Sequence, residues 1–205
     1  MKYSLGFWLK KMYLLQQIPF SDALIQKGLQ HVNVWLCSTG GSGSNLLKNY
    51  LQDYTKVKSP YSAALLTHHK EPVRVDRSDF KAIYLHSDPF SVLRSVKRRG
   101  LIETNIKKLN NDPSLGDSDE VLLASVFRQF KNWTGSQVNY PILCLKYEAL
   151  YASLDVLGEY LGIPMDDFPE KKERSSTTIE IDPQLFDRFR DQYEAWQAFP
   201  DVVEL

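Results

Sequence analysis

The residues of this 205-residue chain best suited to chemistry lie in the run Cys37-Ser38-Thr39-Gly40-Gly41-Ser42-Gly43-Ser44-Asn45-Leu46-Leu47. Gly40, Gly41 and Gly43 let a backbone turn tightly, and successive amides in such a turn point at one place, where an anion can sit. Leu46, Leu47, Tyr50, Leu51 and Tyr54 recur at helical spacing, so a helix should follow and present its positive end to the same anion. Ser42, Ser44 and Asn45 add short side-chain donors. No cation is encoded in the turn. The nucleoside-triphosphate pattern G-x-x-x-x-G-K-S/T therefore fails: Ser44 stands in the place of the lysine and Asn45 in the place of the magnesium-holding hydroxyl.

Two further groups could take part. Leu66-Thr67-His68-His69-Lys70 holds adjacent histidines, either of which could move a proton near neutral pH. As metal ligands the pair lacks a third partner at suitable spacing, and Cys37 and Cys144 lie in apolar runs as small buried thiols, so no metal is expected. Downstream, Ser91, Ser95 and Arg98 share a helical face with Arg94 beside them, and a guanidinium from that helix could supply the charge missing from the turn. A solvated basic helix end, favoured by the helix dipole, accounts for Arg94, Lys97, Arg98 and Arg99 equally well.

Placing these residues requires strands that end at one edge. Val32 to Cys37 is a short β-branched and aromatic run feeding the glycine turn. Ala82 to His86 is a second such run, followed by Ser87-Asp88-Pro89, where a capping side chain and a proline open a helix to about Arg99 and Gly100 closes it. Ile142 to Lys146 is a third, followed by Leu150, Leu154, Leu157 and Leu161 on one helical face before Gly162 and Pro164. Strand-then-helix units in this order predict an α/β fold of three layers, with a mainly parallel central sheet between helices. Asp117-Ser118-Asp119 should cap a helix from about Glu120 to Trp133, and Asp182-Pro183 should open a last helix carrying Leu185, Phe189, Tyr193 and Trp196. The polar stretch Leu101 to Gly116 reads as a mobile connection able to cover a site. Phe127, Phe130 and Trp133 could line an acceptor pocket or simply fill the core.

Taken together, these segments resemble the cytosolic-type sulfotransferases, which have a P-loop-NTPase-like fold and move a sulfuryl group from 3′-phosphoadenosine 5′-phosphosulfate to an alcohol, phenol or amine. The family's 5′ loop reads P-K-S-G-T-T-W-L, against Gly40 to Leu47 here, with Gly41 in the place of its lysine. Its R-N-P-x-D-x-x-x-S segment runs alongside Ser87 to Ser95, with Ser87 in the place of the arginine and Ser95 matching the serine that hold the 3′-phosphate. Its K-T-H phrase falls on Leu66-Thr67-His68, which implies His68 as the base that deprotonates the acceptor, with His69 the close competitor. Leu145-Lys146-Tyr147-Glu148-Ala149-Leu150 parallels L-K-Y-E-D-L, where Tyr147 and Glu148 read as structural. The family's basic segment near the C-terminus has only a weak counterpart around Arg174 and Ser175. The resemblance thus implies a nucleotide site of Gly40, Gly41, Ser42, Gly43, Ser44, Asn45, Ser87 and Ser95, with Arg94, Arg98 and Arg174 as compensating cations.

Other readings stay open: a metal-dependent phosphotransferase with a divergent turn, or a binding protein that kept the fold and lost the cations. Composition narrows the rest. Twenty-five basic against twenty-five acidic residues argue against nucleic-acid partners, and leave a small-molecule or glycan acceptor, which the sequence does not identify. The apolar stretch Ser4 to Phe20 is broken by Lys10 and Lys11 and lacks a cleavage site, so a surface helix is expected and not a membrane span. A single domain over 1–205 in a reducing, cytoplasmic setting follows from size and cysteine usage.

Overall fold

A computed structural model describes residues 22–40, 42–57, 66–110, 112, 114–171 and 179–205. The Ser4 to Phe20 segment, Gly41, Arg174 and Ser175 lie outside the described residues. In chain order the elements are α1 (Asp22–Leu29), β1 (Val34–Ser38), α2 (Ser44–Leu51), β2 (Lys81–His86), α3 (Pro89–Arg98), α4 (Ile102–Asn110), α5 (Asp119–Thr134) and β3 (Ile142–Lys146). A 3-10 turn (Tyr147–Ser153) then leads to α6 (Leu154–Leu161), α7 (Pro183–Arg188), α8 (Arg190–Ala198) and β4 (Val202–Glu204).

The strands lie in the order β1-β2-β3-β4. β1, β2 and β3 are parallel, and β4 closes the edge antiparallel to β3. Every residue of β1 and β3 is buried because both faces of the sheet are covered, which is why these strands read as continuous apolar runs. Alternation along the strands divides the core in two. Trp35, Cys37, Ala82, Tyr84, Ile142 and Cys144 face one cluster, filled by α1, α3, α4, α5, α7 and α8. Val34, Leu36, Ile83, Leu85, Leu143 and Leu145 face the other, against Leu47 and Leu51 of α2 and Leu157 of α6. Phe127, Phe130 and Trp133 of α5 belong to the first cluster, so they are core residues.

Caps behave as their residue types require. Asp88 accepts from the Ser91 amide at the start of α3, Ser118 from Val121 at α5, and Asp182 from Gln184 at α7. The stretch expected to be a mobile connection instead contains α4, whose Asn105, Ile106 and Leu109 are buried against its neighbours. The single expected C-terminal helix is broken at Phe189 into α7 and α8. The third helix begins later than its apolar pattern suggested, behind the 3-10 turn.

One piece of this packing sets the site. The 66–69 segment runs beside β1, with the Ser38 amide donating to the Thr67 carbonyl at 2.7 Å and the Trp35 indole donating to the Leu66 carbonyl at 2.7 Å. From the far side, α5 sends the Gln129 amide and the Trp133 indole to the His69 carbonyl at 2.8 and 3.0 Å. Trp35 and Trp133 pack edge to face at 4.8 Å. With its buried carbonyls satisfied, the segment is fixed in place, and the residue between Thr67 and His69 is held at the end of β1.

Candidate functional site

The loops after β1, β2 and β3 converge at the carboxyl edge of the sheet, the usual ligand position in open α/β sheets. The first leaves β1 through the buried Ser38 and Thr39, turns at Gly40 with φ 81° and enters α2 from Gly43 with φ 69°. Glycine takes these left-handed conformations without the steric penalty of a Cβ. No side chain caps α2, and among the described residues the amides of Ser42, Gly43, Ser44 and Asn45 donate to no protein group. They stand as donors at a positive helix end. Ser42 is fully buried and ties the turn to β2 by donating to the Leu85 carbonyl at 3.3 Å. Ser44 is buried, while Asn45 is exposed and accepts from Lys48 Nζ at 3.1 Å. Among the described residues the buried Thr39 hydroxyl has no hydrogen-bond partner.

His68 lies against this turn. Its Nδ1 is 2.9 Å from the Ser38 carbonyl oxygen, so that nitrogen carries the proton and Nε2 keeps its lone pair. A Cβ built on Gly40 would sit 3.5 Å from the imidazole and 2.8 Å from Oδ1 of Asn105. Burial drives the His68 pKa down to about 4; the bond to Ser38 opposes this, and the charges of Lys108, Lys48 and Arg99 push the same way as burial. The imidazole is therefore neutral at pH 7. His69, by contrast, is buried and donates from Nδ1 to the Glu71 carbonyl at 2.6 Å.

The second and third loops are joined by a carboxylate. Glu148 Oε1 accepts from the Ser87 hydroxyl at 2.5 Å and from the Asp88 amide at 3.0 Å. Asp88 in turn accepts from the Tyr193 hydroxyl at 2.8 Å. The Tyr147 ring covers Gly43 so closely that a Cβ there would overlap it. Between these groups is a cleft of about 270 Å³ lined by Ser87, Ser91, Tyr147, Glu148, Tyr151 and Lys171. Ser95 and Arg94 are half-buried and Arg98 is exposed further along α3, and none of the three lines the cleft. The Arg94 charge is instead felt at Tyr193.

The structure thus sets His68 beside Gly40, at the head of the turn that carries Ser42, Gly43, Ser44 and Asn45, while Ser87 lines the cleft next to Tyr147, which covers Gly43. Sequence reasoning missed Asn105 and gave Tyr147 and Glu148 no place at the turn, since these contacts join segments far apart in the chain. It also overlooked the cations that reach His68, although Lys48 is one helical turn beyond Asn45 and could have been found by spacing. A larger cleft of about 470 Å³ lies at another part of the sheet, around Lys81, Tyr160 and Glu204. Its Lys81 is bonded to the Tyr160 carbonyl, and it holds no histidine, cysteine or serine.

Comparison with protein-family models, curated proteins and solved structures returns no match. Among the described residues, no three His, Cys, Asp or Glu side chains are grouped to hold a metal ion. No described helix is long and apolar enough to cross a membrane.

Proposed function

We propose that the chain is a sulfotransferase-like enzyme. In this reading the amides of the turn seat the 5′-phosphosulfate of 3′-phosphoadenosine 5′-phosphosulfate, and the sulfuryl group moves to a hydroxyl or amine of a small-molecule or glycan acceptor. The observation that carries the reading is the position of His68, whose Nε2 is an acceptor, beside Gly40 at the head of the turn whose Ser42 to Asn45 amides are uncommitted among the described residues. Order of segments supports a P-loop-like arrangement, with the glycine turn between the first described strand and its helix.

In the transfer, a bond forms from the acceptor oxygen or nitrogen to sulfur as the sulfur–oxygen bond to the 5′-phosphate breaks. His68 Nε2 takes the acceptor's proton, and the 3′,5′-bisphosphate departs with the electron pair of the broken bond. Amides aimed at the leaving phosphate stabilise its developing charge, an effect worth about 10²–10³ in rate for one such donor. A histidine with a pKa of about 4 is a weak base in the free protein. An anion bound in the turn favours the imidazolium and raises that value, so donor binding brings the base into its working range.

One observation favours a non-catalytic role. Glu148 places negative charge on Ser87 and the Asp88 amide, the position where the family holds the 3′-phosphate. Calorimetry with 3′-phosphoadenosine 5′-phosphate, with and without magnesium, separates the readings. Metal-independent binding is expected of the sulfotransferase. Magnesium-dependent ATP binding would point to a phosphotransferase, and absence of both to a scaffold.

A further inference from the structure

The turn encodes no cation, and helical spacing proposes Arg94 and Arg98 to replace it. Charge nevertheless reaches the turn from elsewhere. Asn105 of α4 is buried with its Oδ1 against the backbone of Gly40. Lys108 stands three residues further along the same helix, hence on the same face, and is half-buried. Lys48 donates to Asn45 in the first turn of α2. Arg99, at the end of α3, is tied by its Nε to the Ser95 carbonyl at 2.9 Å. After burial, the charges of Lys108, Lys48 and Arg99 act in the same direction on the His68 pKa.

Cations of three separate elements thus lie within electrostatic reach of one imidazole, and that imidazole lies beside Gly40. The Thr39 hydroxyl, buried and unpartnered among the described residues, lies at the head of the same turn. We infer that Lys108, supported by Lys48 and Arg99, supplies from α4 the cation that the glycine turn lacks, and that it contacts the anionic end of the ligand held by the turn. An anion held by the turn would be attracted by each of these charges. The polar segment between α3 and α5 then has a function: its helix carries an ammonium to the site. The inference rests on the proposed nucleotide reading but can be tested apart from it.

Binding of 3′-phosphoadenosine 5′-phosphate is measured by calorimetry for the wild type, Lys108→Met, Lys108→Arg and Lys97→Met. Lys97 is the control, since its ammonium is paired with Asp119 at 2.5 Å. Loss of a charge-assisted contact should weaken binding of Lys108→Met about tenfold or more, with Lys108→Arg recovering most of it. Lys97→Met should stay within about twofold of the wild type. Denaturant midpoints of the variants confirm that each is folded. Wild-type affinity in folded Lys108→Met would overturn the inference and leave the nucleotide reading standing.

Inorganic pyrophosphate, followed by the ring-nitrogen resonances of His68, separates the remaining cases. If the bisphosphate fails to bind but pyrophosphate shifts His68 in the wild type and not in Lys108→Met, the cation's role stands and the nucleotide reading falls. If neither ligand binds the wild type, both fall.

Discussion

The Nδ1–H of His68 donates to the carbonyl oxygen of Ser38 at 2.9 Å, which joins a histidine of one segment to the last residue of the strand that feeds the glycine turn. That bond fixes the tautomer, and the ring lies beside Gly40, where an added Cβ would come within 3.5 Å of it. A base held by two parts of the scaffold keeps Nε2 in one place. In the proposed transfer, His68→Asn should retain bisphosphate binding within a few-fold while lowering turnover by about 10²–10⁴. Direct sulfuryl-transfer assays against a panel of phenols, amines and sugars would check this. Equal turnover in the variant would remove His68 from the chemistry.

The titration of His68 gives a second prediction. Its pKa, about 4 in the free protein against an ordinary 6.5, should rise when 3′-phosphoadenosine 5′-phosphate binds. Burial is the main cause of the low value; the Ser38 carbonyl opposes it, and the charges of Lys108, Lys48 and Arg99 add to it. NMR titration of the ring with and without ligand reads the change. An unchanged value in the complex would mean that the anion does not sit beside this ring.

Stability should depend on pH through two histidines whose folded values lie below their unfolded ones. His86, fully buried, accepts from the Trp196 indole at 3.0 Å, and burial holds its pKa at about 3, helped by Lys146 and opposed by Asp201. Below pH 6.5 the unfolded chain binds protons that the folded protein does not, so stability falls as pH drops from 6.5 toward these folded values. For His86 the loss is on the order of 1 kcal/mol per pH unit. Urea midpoints between pH 7 and 4 measure it. His86→Leu should flatten the slope while lowering the midpoint at pH 7, because the Trp196 N–H loses its acceptor. A midpoint that stays level from pH 7 to 5 in the wild type would refute the assignment.

Gly43 is required for two separable reasons. Alanine there meets the left-handed backbone penalty of about 1–2 kcal/mol and also displaces the Tyr147 ring. In a Tyr147→Ala background only the backbone part remains, so the destabilisation by Gly43→Ala should shrink. A double-mutant cycle on unfolding free energies reads this coupling. Strict additivity would show that the ring does not press on the turn.

Glu148→Gln should tighten binding of 3′-phosphoadenosine 5′-phosphate several-fold. Glutamine keeps a carbonyl oxygen for the Ser87 hydroxyl and the Asp88 amide while removing the negative charge that opposes a phosphate there. Calorimetry of the two proteins at one ionic strength makes the comparison. Weaker binding by the glutamine variant would mean that the carboxylate holds the ligand.

Much of the scaffold was legible in the sequence because local chemistry and global packing agree. The runs Val32 to Cys37, Ala82 to His86 and Ile142 to Lys146 marked the three parallel strands, which the structure places at Val34–Ser38, Lys81–His86 and Ile142–Lys146. Asp88-Pro89 and Ser118 mark helix starts that the structure keeps. α4 was not legible because Thr104, Asn105, Lys107 and Lys108 dilute the apolar face of Ile102, Ile106 and Leu109, and Asn110-Asn111-Asp112-Pro113 signals a turn directly after it. β4 is three residues long and takes its place from pairing with β3, not from any pattern of its own.

At the site, the glycine turn and His68 were visible as motifs. The Tyr147 ring on Gly43 and the Glu148 bridge to Ser87 were not, since both follow from the alignment of β3 with β2 and β1. Lys108 was hidden for the same reason as its helix: a lysine in a polar segment carries no sign of the element that will aim it.

The central claim is that the amides opening α2 hold an anion. Backbone ¹H–¹⁵N spectra recorded as 3′-phosphoadenosine 5′-phosphate is added without metal test it most directly. The account predicts saturable shifts of the Ser42, Gly43, Ser44 and Asn45 amides together with the His68 ring. Shifts confined to other residues, or none at saturating ligand, would contradict it.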